Sequence, residues 1–178
     1  MNPEPSQRIS APLRVVLDTN VVMDLLHFLD PRTLALKNAL AQGNVYCYSN
    51  AACLGELERV MNYPEFGLGE ENRSRLMQAY LGFVIACEAH QEELPPLPRC
   101  RDADDQKFLE LAAHCSADML LTRDKQLLRL ARHRHKPPPF AILTAEDAGR
   151  LLEFPAKHPA QSVRGVGVES VTFRAESL

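Results

Sequence analysis

The chain has 178 residues, 46% of them hydrophobic, and a formal net charge of −3. That length suits one domain with short tails, and the apolar share is ample for a packed core. The slight acidity excludes a broadly basic nucleic-acid coat, although a local basic patch is compatible with it. No run approaches the roughly 18 apolar residues of a membrane span, and the first residues lack the apolar core of a secretory signal. The five cysteines form no C-x-x-C pair, and they are expected to be reduced, mostly buried thiols of a cytoplasmic protein.

Residues 1–12 carry three prolines and no periodicity, which marks a flexible leader. Leu13 to Leu17 is an apolar run closed by Asp18, a buried strand that feeds a helix start at Thr19-Asn20. Helices are expected over about 20–28 and 32–41, separated by Asp30-Pro31 and ended by Gly43. Val45 to Tyr48 reads as a second strand. Ser49 is a suitable N-cap for a helix that stops at Tyr63-Pro64. After Gly67-Leu68-Gly69, a long helix from about 70 to 82 is expected to run on into Phe83 to Cys87.

Leu94-Pro95-Pro96-Leu97-Pro98 is a stiff extended connector. Asp102 or Asp104 is expected to cap a helix reaching about 115. A strand over 117–122, a helix over about 125–134, a strand over 140–143 and a helix over 145–153 capped by Thr144 complete the domain. Residues 155–178 form a C-terminal tail, either an edge strand over Val163 to Phe173 or disordered. Strand–helix alternation of this kind predicts a parallel sheet covered by helices on both faces. Such sheets bind ligands beyond the carboxyl ends of their strands.

Asp18 and Asp124 stand at two of those ends, and Glu56 and Asp105 stand on helices. Each has an ordinary alternative role. Asp18 could be a strand-end residue, with Thr19 or Asn20 capping the helix and the Asp18 carboxylate left for the crevice. Asp102, Asp104 and Asp105 could complement a helix dipole, and Asp124 could be a cap. Glu56 and Glu58 are two apart and project from different sides of their helix, so only one faces the crevice. Carboxylates gathered in one crevice raise one another's pKa unless a cation compensates. A hard divalent ion takes oxygen ligands and can activate water against a phosphodiester.

The histidines offer no zinc pattern, because His133-x-His135 lacks partner cysteines at ligand spacing. No phosphate-binding glycine loop precedes a helix. Arg129, Arg132, Arg134 and Lys136 are the densest basic cluster, suited either to RNA contact or to a helix C-terminus. Arg73, Arg75, Arg99 and Arg101 are scattered alternatives.

Val15-Val16-Leu17-Asp18-Thr19-Asn20-Val21-Val22 resembles the opening block of PIN-domain ribonucleases. Tyr48-Ser49 through Gly55-Glu56-Leu57-Glu58-Arg59-Val60, with Tyr63-Pro64-Glu65-Phe66, resembles the second block of the subfamily assigned to toxin–antitoxin systems. Arg101 to Leu109 resembles its third block, with Ala103 where proline is common, and Leu120 to Leu128 its fourth. The ordered blocks cover about residues 13–154.

The resemblance implies a PIN-like three-layer α/β/α domain with a central parallel sheet of four to five strands. It implies Asp18, Glu56, Asp105 and Asp124 as catalytic and metal-binding acids for Mg²⁺ or Mn²⁺, with Asp102 and Asp104 as neighbours in an open register. Thr122 matches a supporting hydroxyl. Arg123 departs from the small residue usual there, and it either clamps phosphate or lies along the surface. The implied activity is endoribonucleolytic hydrolysis of single-stranded RNA to 5′-phosphate and 3′-hydroxyl ends, as the toxin of a pair with a small antitoxin and commonly as a homodimer. A PIN-like module that binds RNA or protein without cleaving is the alternative.

Overall fold

The computed structural model describes residues 11–87 and 94–153. The proline-rich start up to residue 10 and the tail, with its candidate edge strand, lie outside the described residues. Five strands form one parallel sheet: β1 (Leu13–Leu17), β2 (Val45–Ser49), β3 (Val84–Ala86), β4 (Met119–Leu121) and β5 (Ala141–Leu143). Their order across the sheet is β3-β2-β1-β4-β5. β1 pairs with β2 through Val15 opposite Cys47, and with β4 through Val15 opposite Met119.

Among the described residues, seven α-helices flank the sheet, the last following β5: α1 (Thr19–Leu26), α2 (Leu34–Ala41), α3 (Ala51–Met61), α4 (Glu70–Leu81), α5 (Gln106–His114), α6 (Lys125–Leu130) and α7 (Ala145–Glu153). The layers follow from the two-residue period of the strands. Val15, Leu17, Met119 and Leu121 face a core shared with Val22 and Leu25 of α1, Leu36 of α2, Leu57 of α3 and Ala148 of α7. The alternate residues Val16 and Leu120 face a second core built on Phe108, Leu111 and Ala112 of α5 and Leu127 of α6. The result is a three-layer α/β/α domain, as expected, with the upper strand number. α7 comes very close to α2 at Gly149, where a β-carbon would stand 3.0 Å from that of Ala35.

Several boundaries differ from the sequence reading. α4 stops at Leu81, and Val84–Ala86 leaves the helix to pair with Cys47–Ser49 as the edge strand β3. Its burial is low, with Ile85 40% exposed, so apolarity alone could not distinguish it from a helix extension. The N-cap of α3 is Asn50, whose side chain accepts from the Cys53 N–H at 3.0 Å; Ser49 instead ends β2. α6 ends at Leu130, so Arg132, Arg134 and Lys136 lie in the loop beyond it. The α1 N-cap is Asp18 itself, and not Thr19 or Asn20. At α5 the cap position belongs to Asp105, without a side-chain cap bond.

The strand order reverses at β1, because β2 and β3 lie on one side of it and β4 and β5 on the other. The chain therefore leaves β1 and β4 in opposite directions. That splits a crevice at their carboxyl ends, the position where parallel α/β sheets take ligands.

Candidate active site

Asp18 follows β1 at the edge of this crevice and is buried, only 4% exposed. Its Oδ2 accepts from Thr122 Oγ1 at 2.6 Å and from Asn20 Nδ2 at 2.6 Å. Burial raises the Asp18 pKa above the ordinary carboxylate value, and the Glu56 charge adds to the rise; the Thr122 and Asn20 hydrogen bonds pull the other way. Thr122, fully buried after β4, also accepts the Asp124 N–H at 2.9 Å. The Arg123 N–H donates to Asn20 Oδ1 at 3.1 Å. The ends of β1 and β4 are thus stitched together by side chains separated by about a hundred residues in sequence.

Asp124 caps α6 through one oxygen, its Oδ1 accepting from Gln126 N–H at 2.7 Å and Leu127 N–H at 3.0 Å. Both cap bonds go to that atom, which leaves Oδ2 for another ligand. Asp105 stands at the start of α5. That helix runs back toward β4, so its N-terminus belongs to the carboxyl end of the sheet. The Asp105 carboxyl is pushed up to about 6, by burial first and then by the charges of Asp18, Asp102, Asp124 and Glu56. Glu56 comes from the middle of α3 and is ion-paired with Lys107 of α5, whose ammonium also donates to the Asp104 carbonyl at 2.5 Å. Glu58 is exposed, as the helical spacing requires.

Asp18, Glu56, Asp105 and Asp124 therefore line one cleft of about 210 Å³, together with Thr19, Asn20, Met23, Val60, Phe66 and Arg123. Asp102 and Asp104 are exposed and absent from its lining; Asp102 accepts from the Asp104 N–H within its own turn. The basic cluster at and beyond the end of α6 does not line the cleft either. Among the described residues, Arg123 is the one cationic residue in the lining, and its Nη1 stands 3.5 Å from Asp24 Oδ1.

Among the described residues, no three acidic, histidine or cysteine side chains are arranged to hold a metal ion as they stand. In this arrangement Lys107 pairs with Glu56, the α6 cap occupies one oxygen of Asp124, and Thr122 with Asn20 occupies Oδ2 of Asp18. The donor chemistry nevertheless fits a hard cation. The set is all oxygen, it draws on four separate elements, and its negative charges raise the pKa of Asp105.

A buried carboxylate at the switch point of a parallel sheet, bonded by a hydroxyl that follows the neighbouring strand, thus shares one cleft with three further acids in a three-layer α/β/α domain. Residues 14–126 match the PIN domain family, and the chain belongs to that family. Comparison with curated proteins gave no match. Among the described residues, no helix is long and apolar enough to cross a membrane.

Proposed function

We propose that the chain is a metal-dependent endoribonuclease acting on single-stranded RNA, with residues 13–154 as the nuclease unit. The observation that carries this reading is the convergence of Asp18, Glu56, Asp105 and Asp124 on one cleft at the topological switch point. These four acids are the proposed ligands for Mg²⁺ or Mn²⁺. When bound, such an ion lowers the pKa of water and offsets charge on phosphodiester oxygens.

The chain's own contribution is orientation. Thr122 and Asn20 fix Oδ2 of Asp18, and the α6 cap fixes Oδ1 of Asp124. Asp105 lacks a cap bond and is the carboxylate freest to adjust. Arg123 lines the cleft with its guanidinium 3.5 Å from Asp24 Oδ1, and on this reading it turns to a phosphate oxygen of the strand. Family membership is consistent with a nuclease role. On this reading the protein is the toxin of a toxin–antitoxin pair, restrained by a small antitoxin and assembled as a homodimer.

The test is cleavage of single-stranded RNA by purified protein with Mg²⁺ or Mn²⁺. Wild type should yield 5′-phosphate products, and Asp18→Asn should abolish cleavage while keeping the fold. Equal trace cleavage by both proteins would overturn the proposal. The Lys107–Glu56 ion pair favours a second reading, a PIN module that binds RNA or protein without cutting it. RNA binding with no metal-dependent cleavage would select that reading.

A further inference from the structure

The acid cleft has an aromatic residue at its edge. Phe66 lines the cleft beside the four carboxylates and packs against two rings from the end of α1. Its centroid is 6.0 Å from Phe28, at an interplanar angle of 61°, and 6.2 Å from His27, at 86°. His27 and Phe28 are themselves 4.6 Å apart. Edge-to-face contacts of this kind hold rings together while leaving faces available, and Phe28 is 50% exposed.

The backbone under the trio is fixed on both sides. His27 and Phe28 N–H both donate to the Met23 carbonyl at 2.9 Å. Leu29 then takes a left-handed conformation, φ 51°, and Asp30 N–H donates to the Asp24 carbonyl at 2.8 Å. Phe66 ends a short 3-10 turn, Pro64–Phe66, closed by Gly67 at φ 59° with its N–H on the Pro64 carbonyl at 3.1 Å. A backbone held this firmly under partly exposed rings loses little entropy when the rings take a flat partner.

We propose that His27, Phe28 and Phe66 form a base-stacking platform at the edge of the acid cleft, which takes an unpaired nucleobase of the strand whose phosphodiester lies at the carboxylates. This rests on the nuclease reading for the path of the strand. Continuity with the cleft argues for a nucleobase: Phe66 belongs both to the ring trio and to the wall facing the acids. A strand laid across the carboxylates must put its bases somewhere other than the ion, and every base has a π-face for a ring to meet. The platform therefore selects for unpaired over duplex strands and carries little sequence preference, because bases within a duplex are already stacked on one another.

The experiment measures binding of the full-length protein, at low salt and without divalent cation, to a short oligouridylate and to an abasic strand of the same length. Wild type should prefer the base-bearing strand by roughly 5- to 150-fold, the range for one base on one aromatic platform. Phe28→Ala should lose that preference while keeping the thermal midpoint, Phe66→Leu should lose it as well, and Phe28→Tyr should retain it. Equal preference in wild type and Phe28→Ala would overturn the platform, as would equal binding of both strands by wild type. So would a change in elution mass of Phe28→Ala with RNA affinity intact, which would assign the rings to contact with a second copy. Because no cleavage is scored, this result and the Asp18→Asn cleavage result can fail separately.

Discussion

Replacing Thr122 by valine removes a hydroxyl and keeps the shape, so its effect isolates the bonds that join β1 to β4. Two are lost: the 2.6 Å donation to Asp18 Oδ2 and the 2.9 Å acceptance from Asp124 N–H. A hydrogen bond to a charged, buried group is worth about 1.5–3 kcal/mol, and an orphaned backbone N–H costs about 1 kcal/mol where water can partly reach it. The expected loss at neutral pH is therefore about 2.5–4 kcal/mol. With a urea slope of about 2 kcal/mol/M, the midpoint should fall by roughly 1–2 M at unchanged slope. The penalty should shrink in acid, because Asp18 has a raised pKa and its protonated form no longer needs a donor so strongly. Thr122→Ser should recover all but about 1 kcal/mol, the share of the missing methyl. A loss under about 0.5 kcal/mol, or one equal in acid and at neutrality, would refute the argument that this hydroxyl holds a buried charge.

The metal-free protein should lose stability as pH rises from about 4 to about 6. Asp105 is raised from 3.8 to about 6 in the folded state, so the folded protein binds more protons across that window, and Asp18 acts in the same direction. Thermal midpoints should fall through the window and level off above it, and Mg²⁺ or Mn²⁺ should restore them; a metal-free midpoint that climbs across it would contradict the clustering of charge. Lys107→Met should cost about 1–2 kcal/mol without metal, below the full value for a buried pair because its side chain is 21% exposed. The same variant should bind Mn²⁺ several-fold tighter in calorimetry, since the ammonium no longer competes for Glu56; weaker binding would show instead that Lys107 supports the site.

The sheet was legible because its strands carry short β-branched and apolar runs ended by Asp18 and Asp124, and because helices separate them. The edge strand β3 was not, since the short apolar stretch Phe83 to Cys87 follows α4 after Gly82 alone and only pairing with β2 gives it an identity. Glu56 over Glu58, and Asp105 over Asp102 and Asp104, are choices of helix rotation and turn register that depend on tertiary packing. The caps, Asp18 and not Thr19, Asn50 and not Ser49, are not legible in sequence because aspartate, asparagine, serine and threonine are all favoured there, and the end of the preceding strand decides among them. Lys107 gave no distinct signal beside Asp105, and Phe66 was visible only as part of a resembling block. Its meeting with His27 and Phe28 joins segments about forty residues apart.

Titration of the purified protein with Mn²⁺ by calorimetry, wild type against Asp105→Asn, addresses the joint action of the cleft acids most directly. Wild type should show saturable binding at neutral pH that weakens as the solution is taken below about 6, and Asp105→Asn should lose most of it. Absence of binding in wild type, or identical isotherms for the two proteins, would contradict a shared cation site.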